Sequence, residues 1–313
     1  MGEKIEMFTN WGVTIFMFKY QQIRADMALL AVTFVWGVTF VVVQDALADI
    51  GPFYFIGIRF LIAFLFLSLI YFRRLKRLDV KTLMAGSMIG AFLFAGYAFQ
   101  TVGLQYTTAS NAGFITGLAV VLVPLITSVI TGKLPGAPTF TGVACALLGL
   151  GLLSLGNNLS VNYGDILVFF CALSYAGHIV LVGKYAPRHD PVMLAVIQIG
   201  FVAVISSLCG FSLETMPGYF TKPVWIGLFS TAIPATALAF LIQNSVQRYT
   251  TPTHTAIIFI MEPVFAAGAG WLLAGEILSP RQWLGCLLIL AGMLVAELKD
   301  SKTPEHKITE NFN

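Results

Sequence analysis

Residues 97–108 read YAFQTVGLQYTT, and residues 240–251 read FLIQNSVQRYTT. The offset between them is 143 residues, and without a gap it also lays Gly132 on Gly275, Gly142 on Gly285 and Gly149 on Gly292. An offset of 139 residues lays Trp36 and Gly37 on Tyr175 and Ala176, and Pro52 on Pro191. The chain therefore reads as two copies of one unit, and the fold of the whole depends on what that unit is.

Composition identifies the solvent. Of the 313 residues 58% are hydrophobic and 11% charged, with a mean hydropathy of +0.84, whereas a soluble domain carries about a quarter of charged residues. Apolar runs of about 18 to 24 residues recur, each long enough to cross roughly 30 Å of hydrocarbon at about 1.5 Å per residue. Breaking the chain at its charge, Gly and Pro clusters predicts helices over 27–47, 52–72, 83–104, 107–130, 138–156, 164–183, 191–212, 224–246, 251–274 and 281–297. The expectation is an all-α integral membrane protein of ten transmembrane helices in two five-helix repeats, 27–156 and 164–297. Five is odd, so the second copy enters the bilayer upside down. Inverted repeats of this kind are a transporter architecture, with the substrate site near the midplane where the halves meet.

Orientation follows from the basic residues. With the N-terminus inside, fifteen Lys and Arg fall on the cytoplasmic side, against Lys222 and Arg281 outside and Arg59 within a span. The positive-inside rule then places both termini in the cytoplasm. The run RRLKRLD (73–79) is an orientation signal first and an anionic-lipid contact second. Residues 1–26 hold an apolar run of only eight residues, Trp11 to Phe18, and read as a cytoplasmic or interfacial extension; residues 298–313 read as a cytoplasmic tail. The cysteines Cys145, Cys171, Cys209 and Cys286 lie in apolar segments without CxxC spacing, which argues against a disulfide framework and a metal site. The net charge of +3 is explained by orientation, so no nucleic-acid partner and no cofactor is expected.

Several of these residues together resemble the EamA-like transporters of the drug/metabolite transporter superfamily. They are Trp36-Gly37, Pro52 with Arg59, SNAGFITGLAVVLVP in the fourth span, and Glu262-Pro263-Val264-Phe265 followed by Gly275-Glu276 and Trp283-Leu284-Gly285. The resemblance covers roughly residues 22–297. It implies ten spans in two inverted halves and transport of a small organic molecule, often an amino acid or other metabolite and frequently by export, across a plasma (inner) membrane, as a monomer or homodimer. Uptake or exchange of another metabolite, a drug or a nucleotide-sugar-like solute stays open. Two departures stand out: Gly275-Glu276 faces Gly132-Lys133 in the first half, and Pro124 is four positions out of register with Pro263.

An ionisable residue inside a span costs about 2.5 to 3.5 kcal/mol on insertion scales and should face a cavity or a partner. Glu262 lies eleven residues into its helix, roughly 16 Å from the cytoplasmic edge and so near the midplane. Thr251, Thr255, Ala266 and Ala269 share its helix face, and Pro263 releases the carbonyl of Phe259 at the same depth. Glu262 is a candidate for substrate binding and proton coupling; the alternative is packing. Arg59, roughly 10 Å deep from the outer surface, could meet Glu262, hold a substrate carboxylate or snorkel to the headgroups. His178 is a candidate proton carrier or a histidine bonded between helices. Trp36, Tyr97 and Tyr175 are candidate cavity walls, and Asn111 a candidate polar contact. Gln100 and Gln243, equivalent in the repeat, are expected to bridge helices. Glycines 86, 90, 268 and 270 are expected to allow close packing, and Glu276 to be interfacial.

An enzyme would need a nucleophile with its base, paired carboxylates or metal ligands at one depth; the spans offer one Glu, one Arg and one His at different heights. A scaffold or receptor has no need of an inverted repeat. An ATP-driven pump in this chain is excluded, because no GxxxxGK[ST] motif exists.

Overall fold

The computed structural model describes residues 2–132, 136–154, 162–247, 249, 252–259 and 261–298. Lys133, Arg248, Thr251 and the tail beyond Leu298 lie outside the described residues. Among those residues the regular structure is helical: α1 (Gly2–Ala46), α2 (Pro52–Ile70), α3 (Phe72–Leu75), α4 (Val80–Gly103), α5 (Ala109–Gly117), α6 (Ala119–Thr131), α7 (Ala137–Ser154), α8 (Tyr163–Tyr185), α9 (Pro191–Leu213), α10 (Lys222–Ala232), α11 (Ala239–Gln247), α12 (Pro252–Phe259), α13 (Met261–Ala274) and α14 (Pro280–Leu298). A π-helical turn, Ile233–Leu238, joins α10 to α11.

Among the described residues seven stretches are helical, long and apolar enough to cross a membrane: 22–46, 52–70, 80–103, 109–131, 163–185, 191–213 and 222–247. The apolar helices 140–149, 261–274 and 280–295 are shorter. The backbone of α1 runs unbroken from Gly2 to Ala46, and its apolar stretch is 22–46.

Helix starts are set locally. Asp79 accepts from Thr82 N at 2.9 Å, Thr108 from Asn111 N at 3.1 Å, Asn162 from Gly164 N at 2.7 Å and Asp190 from Val192 N at 2.9 Å. Each side chain satisfies an amide that has no partner within its own helix. Pro52 and Pro191 occupy first-turn positions, where a missing N–H costs nothing.

The most extensive helix contacts join the first half of the chain to the second. α2 lies along α9, α7 along α14, α4 along α8, and α1 and α5 both against α13. The carboxylate of Glu214, at the end of α9, accepts from Phe53 N at 2.8 Å and Tyr54 N at 2.9 Å at the start of α2. At the other end Arg74, just past α2, pairs with Asp190 at 3.1 Å. α2 and α9 therefore run antiparallel. Hydrogen bonds to a charged group are worth about 1.5–3 kcal/mol each, whereas an exposed ion pair like Arg74–Asp190 gives about 0–1.

The α7–α14 contact is reciprocal. A Cβ on Gly149 would lie 2.6 Å from the carbonyl oxygen of Gly285, and one on Gly292 would lie 2.6 Å from that of Gly142. Under the 143-residue offset these two contacts are the same contact. Only glycine lets the two backbones approach so closely. Gly132 and Gly275, also equivalent, end α6 and α13 with φ of 67° and 66°, the left-handed conformation that glycine adopts without strain. Gly86 and Gly90 on α4 pack tightly on Ile197 and Phe201 of α9, whereas Gly268, expected at a helix contact, faces open space.

Candidate functional site

A cavity lies among α1, α2, α4, α5, α6, α8, α11, α12 and α13, lined by Trp36, Arg59, Tyr97, Gln100, Tyr175, His178, Gln243 and Glu262 together with Thr39, Thr116, Phe240 and Phe259. The candidate substrate-binding, proton-coupling and helix-bridging residues meet there, Asn111 excepted. Asn111 sits in the first turn of α5, its N–H donated to Thr108 Oγ1, and is not among the cavity residues.

Fourteen of the 21 lining residues form seven repeat-equivalent pairs, whereas Val43, Arg59, Leu93, Thr101, Leu104, Gly117 and Val120 line the cavity without their equivalents. Trp36 corresponds to Tyr175, Thr39 to His178 and Phe40 to Ile179 at the offset of 139; Tyr97 corresponds to Phe240, Gln100 to Gln243, Thr116 to Phe259 and Ala119 to Glu262 at the offset of 143. Both members of every pair line the cavity. Its charges break that equivalence: Arg59 comes from the first half and corresponds to Gln198, and Glu262 comes from the second half and corresponds to Ala119.

Arg59 is 4% exposed, and it does not snorkel. Nε donates to Thr236 Oγ1 at 2.7 Å, and Nη2 to Tyr97 Oη at 3.2 Å and to the Ala235 carbonyl at 3.4 Å. The guanidinium carbon stands 5.0 Å from the centre of the Tyr97 ring. Two of these partners belong to the π turn. A π turn misaligns backbone groups that a regular helix would pair internally, and Ala235 O also accepts from Trp36 Nε1 at 2.8 Å. The sequence reading missed this anchor; Pro234 in the middle of a span, where it interrupts the hydrogen-bond ladder, is the signal that could have revealed it.

Glu262 is 9% exposed and faces the cavity. No ion pair joins it to Arg59, so the expected meeting of the two is not a direct one; both charges border the same space. The face shared by Ala266 and Ala269 serves helix approach, since Gly113 of α5 packs on Ala266 and Gly37 of α1 on Phe265 and the Glu262 carbonyl. Thr255 on the same face is fully buried.

His178 Nε2 donates to Gln198 Oε1 at 2.7 Å, and its ring packs edge-on against Phe240. It thus bridges α8 and α9. Gln100 bridges helices too, donating to Thr116 Oγ1 at 3.2 Å and accepting from Tyr175 Oη at 3.4 Å. Gln243 departs from expectation: its amide donates within its own helix, to Gln247 Oε1 at 3.3 Å, and its Oε1 is buried without a hydrogen-bond partner. The rings of Tyr97 and Tyr175, and of Trp36 with Phe240 and Phe259, meet at centroid distances of 5.3–5.7 Å. Such walls are of the kind that suits the apolar part of a small organic molecule, and Arg59, Glu262 and the glutamines are oriented polar groups of the kind a ligand site needs. No group of three or more His, Cys, Asp or Glu suited to a metal occurs among the described residues.

Apolar helices around an internal cavity of mixed charge define a multi-pass membrane protein of the transporter class. The chain belongs to the EamA-like transporter family, whose model matches residues 23–155 and again 162–297. Named relatives agree. An uncharacterized transporter of Archaeoglobus fulgidus is 38% identical over 280 residues, spanning 89% of this chain and 87% of the relative. The uncharacterized inner membrane transporter YedA of Escherichia coli K12 is 30% identical over 288 residues, spanning 87% of this chain and 90% of the relative. A solved protein crystal structure superposes with a TM-score of 0.65 at 18% identity, covering 88% of this chain and 96% of the other, and shares the fold.

Proposed function

We propose that the chain is a secondary transporter that exports small organic metabolites, amino acids among them, by alternating access to the cavity between its two halves. One observation carries this reading: two thirds of the cavity lining falls in repeat-equivalent pairs, which supports a position on the axis relating the halves, where rocking of one against the other would expose it to either side. The proposal includes ten spans in two inverted repeats, 27–156 and 164–297, with both termini in the cytoplasm of a cell bounded by an inner membrane. The antiparallel α2–α9 pair, the reciprocal α7–α14 contact and the two separate family matches support the inverted arrangement, and the partition of basic residues supports the orientation. Export is the direction that the family resemblance implies, and the inner membrane is that of the YedA relative. In this reading Trp36, Tyr97 and Tyr175 hold the apolar part of the substrate, Arg59 and Glu262 hold its polar groups, and Glu262 carries the coupling proton. His178, already bonded to Gln198, positions the wall.

Topology is checked by cysteines introduced singly near Arg188 and Lys222. An impermeant thiol reagent added outside is expected to spare the first and modify the second, and modification of both would overturn the inverted model. The cavity is checked by cysteines at Trp36 or Tyr175. Their labelling is expected to slow several-fold in the presence of amino acids or toxic analogues that the protein exports, as bound ligand excludes the reagent. Equal labelling with and without them would remove these aromatic residues from the site.

A further inference from the structure

Resting on that transporter reading, we propose that Glu214 and Glu276 are latches that hold the Pro52 face of the cavity closed, and that substrate passage requires their release. Each is a carboxylate of the second half gripping the N-terminus of a first-half helix. Glu214 accepts from Phe53 N and Tyr54 N at the start of α2. Glu276, expected from the sequence to be merely interfacial, accepts from Ala109 N at 2.9 Å and Ser110 N at 3.1 Å at the start of α5, and from the Ser110 hydroxyl. The bonds are charge-assisted, and the positive end of each helix dipole adds to them.

Both latches act on helices that border the cavity. α2 carries Arg59, α5 carries Thr116, and α13, from which Glu276 follows, carries Glu262. Parting α5 from α13 at this end separates two walls of the cavity, and parting α2 from α9 frees the wall that carries Arg59 from the helix behind it. Both latches are also housed against glycine: a Cβ on Gly51 would fall on the Glu214 carboxylate, and one on Gly270 on Glu276 Oε2 and Ser110 Oγ. The equivalent positions on the opposite face carry no carboxylate. The offset of 139 carries Glu214 to Leu75, and the offset of 143 carries Glu276 to Lys133. There α2 and α9 are joined by the Arg74–Asp190 pair, with side chains 54% and 38% exposed. In this proposal the two carboxylates bias the cavity to rest closed on the Pro52 face.

The test uses the full chain in sealed vesicles, its own four cysteines replaced and one reporter placed in the cavity by Thr39→Cys. An impermeant maleimide added from the Pro52 face is expected to modify the reporter slowly with the latches intact. Glu214→Gln and Glu276→Gln are each expected to speed that reaction by at least about tenfold, the factor that loss of one charged-group hydrogen bond brings. Gly51→Ala is expected to do the same while keeping the carboxylate, because the methyl evicts it; this variant carries the test if a glutamine variant does not fold. Folded variants that match the parent rate and lose only thermal stability would show that the carboxylates are helix caps and nothing more. If the reporter reacts from the opposite face in every variant while the Pro52-face rate never changes, the latches alone fall. Reaction from neither face in any variant would overturn the two-sided cavity along with them.

Discussion

Glu262→Gln is expected to leave the protein inserted and folded, because size and one carbonyl oxygen are kept, yet to cut transport by about ten- to a hundredfold. That is the range set by losing one hydrogen bond to a charged group, about 1.5–3 kcal/mol. Glu262 faces the cavity with no ion pair to Arg59, so its carboxylate is available to a substrate amine or a coupling proton. Tolerance of expressing cells to toxic amino-acid analogues, read across a range of pH, measures the loss. The variant should also flatten whatever pH dependence the parent shows, since it removes the acidic group of the cavity. A packing role gives the reverse pattern: Gln silent in transport, and Glu262→Leu lowering the melting temperature in detergent. Parental tolerance at every pH in the Gln variant would withdraw Glu262 from the site.

Arg59 is expected to give the second large effect, on transport and stability together. Its guanidinium ties α2 to Tyr97 of α4 and to Thr236 and Ala235 of the π turn. Arg59→Lys keeps the charge but loses the Nε bond and the plane stacked over Tyr97, since an ammonium offers no fork. We expect it to fold and to transport at least about tenfold more slowly. Arg59→Ala removes every bond at once. Those bonds are partly offset by relief of a buried charge, and a net loss of about 1–3 kcal/mol in stability should appear as a lower melting temperature. A lysine variant with unaltered transport would show that Arg59 supplies charge alone, and an alanine variant with unaltered melting would show that its bonds to the π turn contribute nothing net.

The sequence alone determined what depends on one segment at a time. That the chain lives in a membrane follows from apolar runs, because hydrocarbon tolerates little else. Helix starts were legible at Pro52 and Pro191, since proline acts within a turn of its own position. The repeat was legible because offset is a property of the string, and so was the shortlist of polar residues at depth, eight of which do share a cavity. Which groups touch was decided only by the tertiary structure. Contact across helices depends on how each is rotated and how deep it sits, and spacing along one helix specifies neither. So Arg59 reached the π turn instead of Glu262 or the headgroups, Gln243 bonded within its own helix while its equivalent Gln100 crossed to two others, and Asn111 stayed at a helix cap. Glu276, placed by sequence at a membrane surface, turned out to grip the start of a helix 166 residues earlier in the chain.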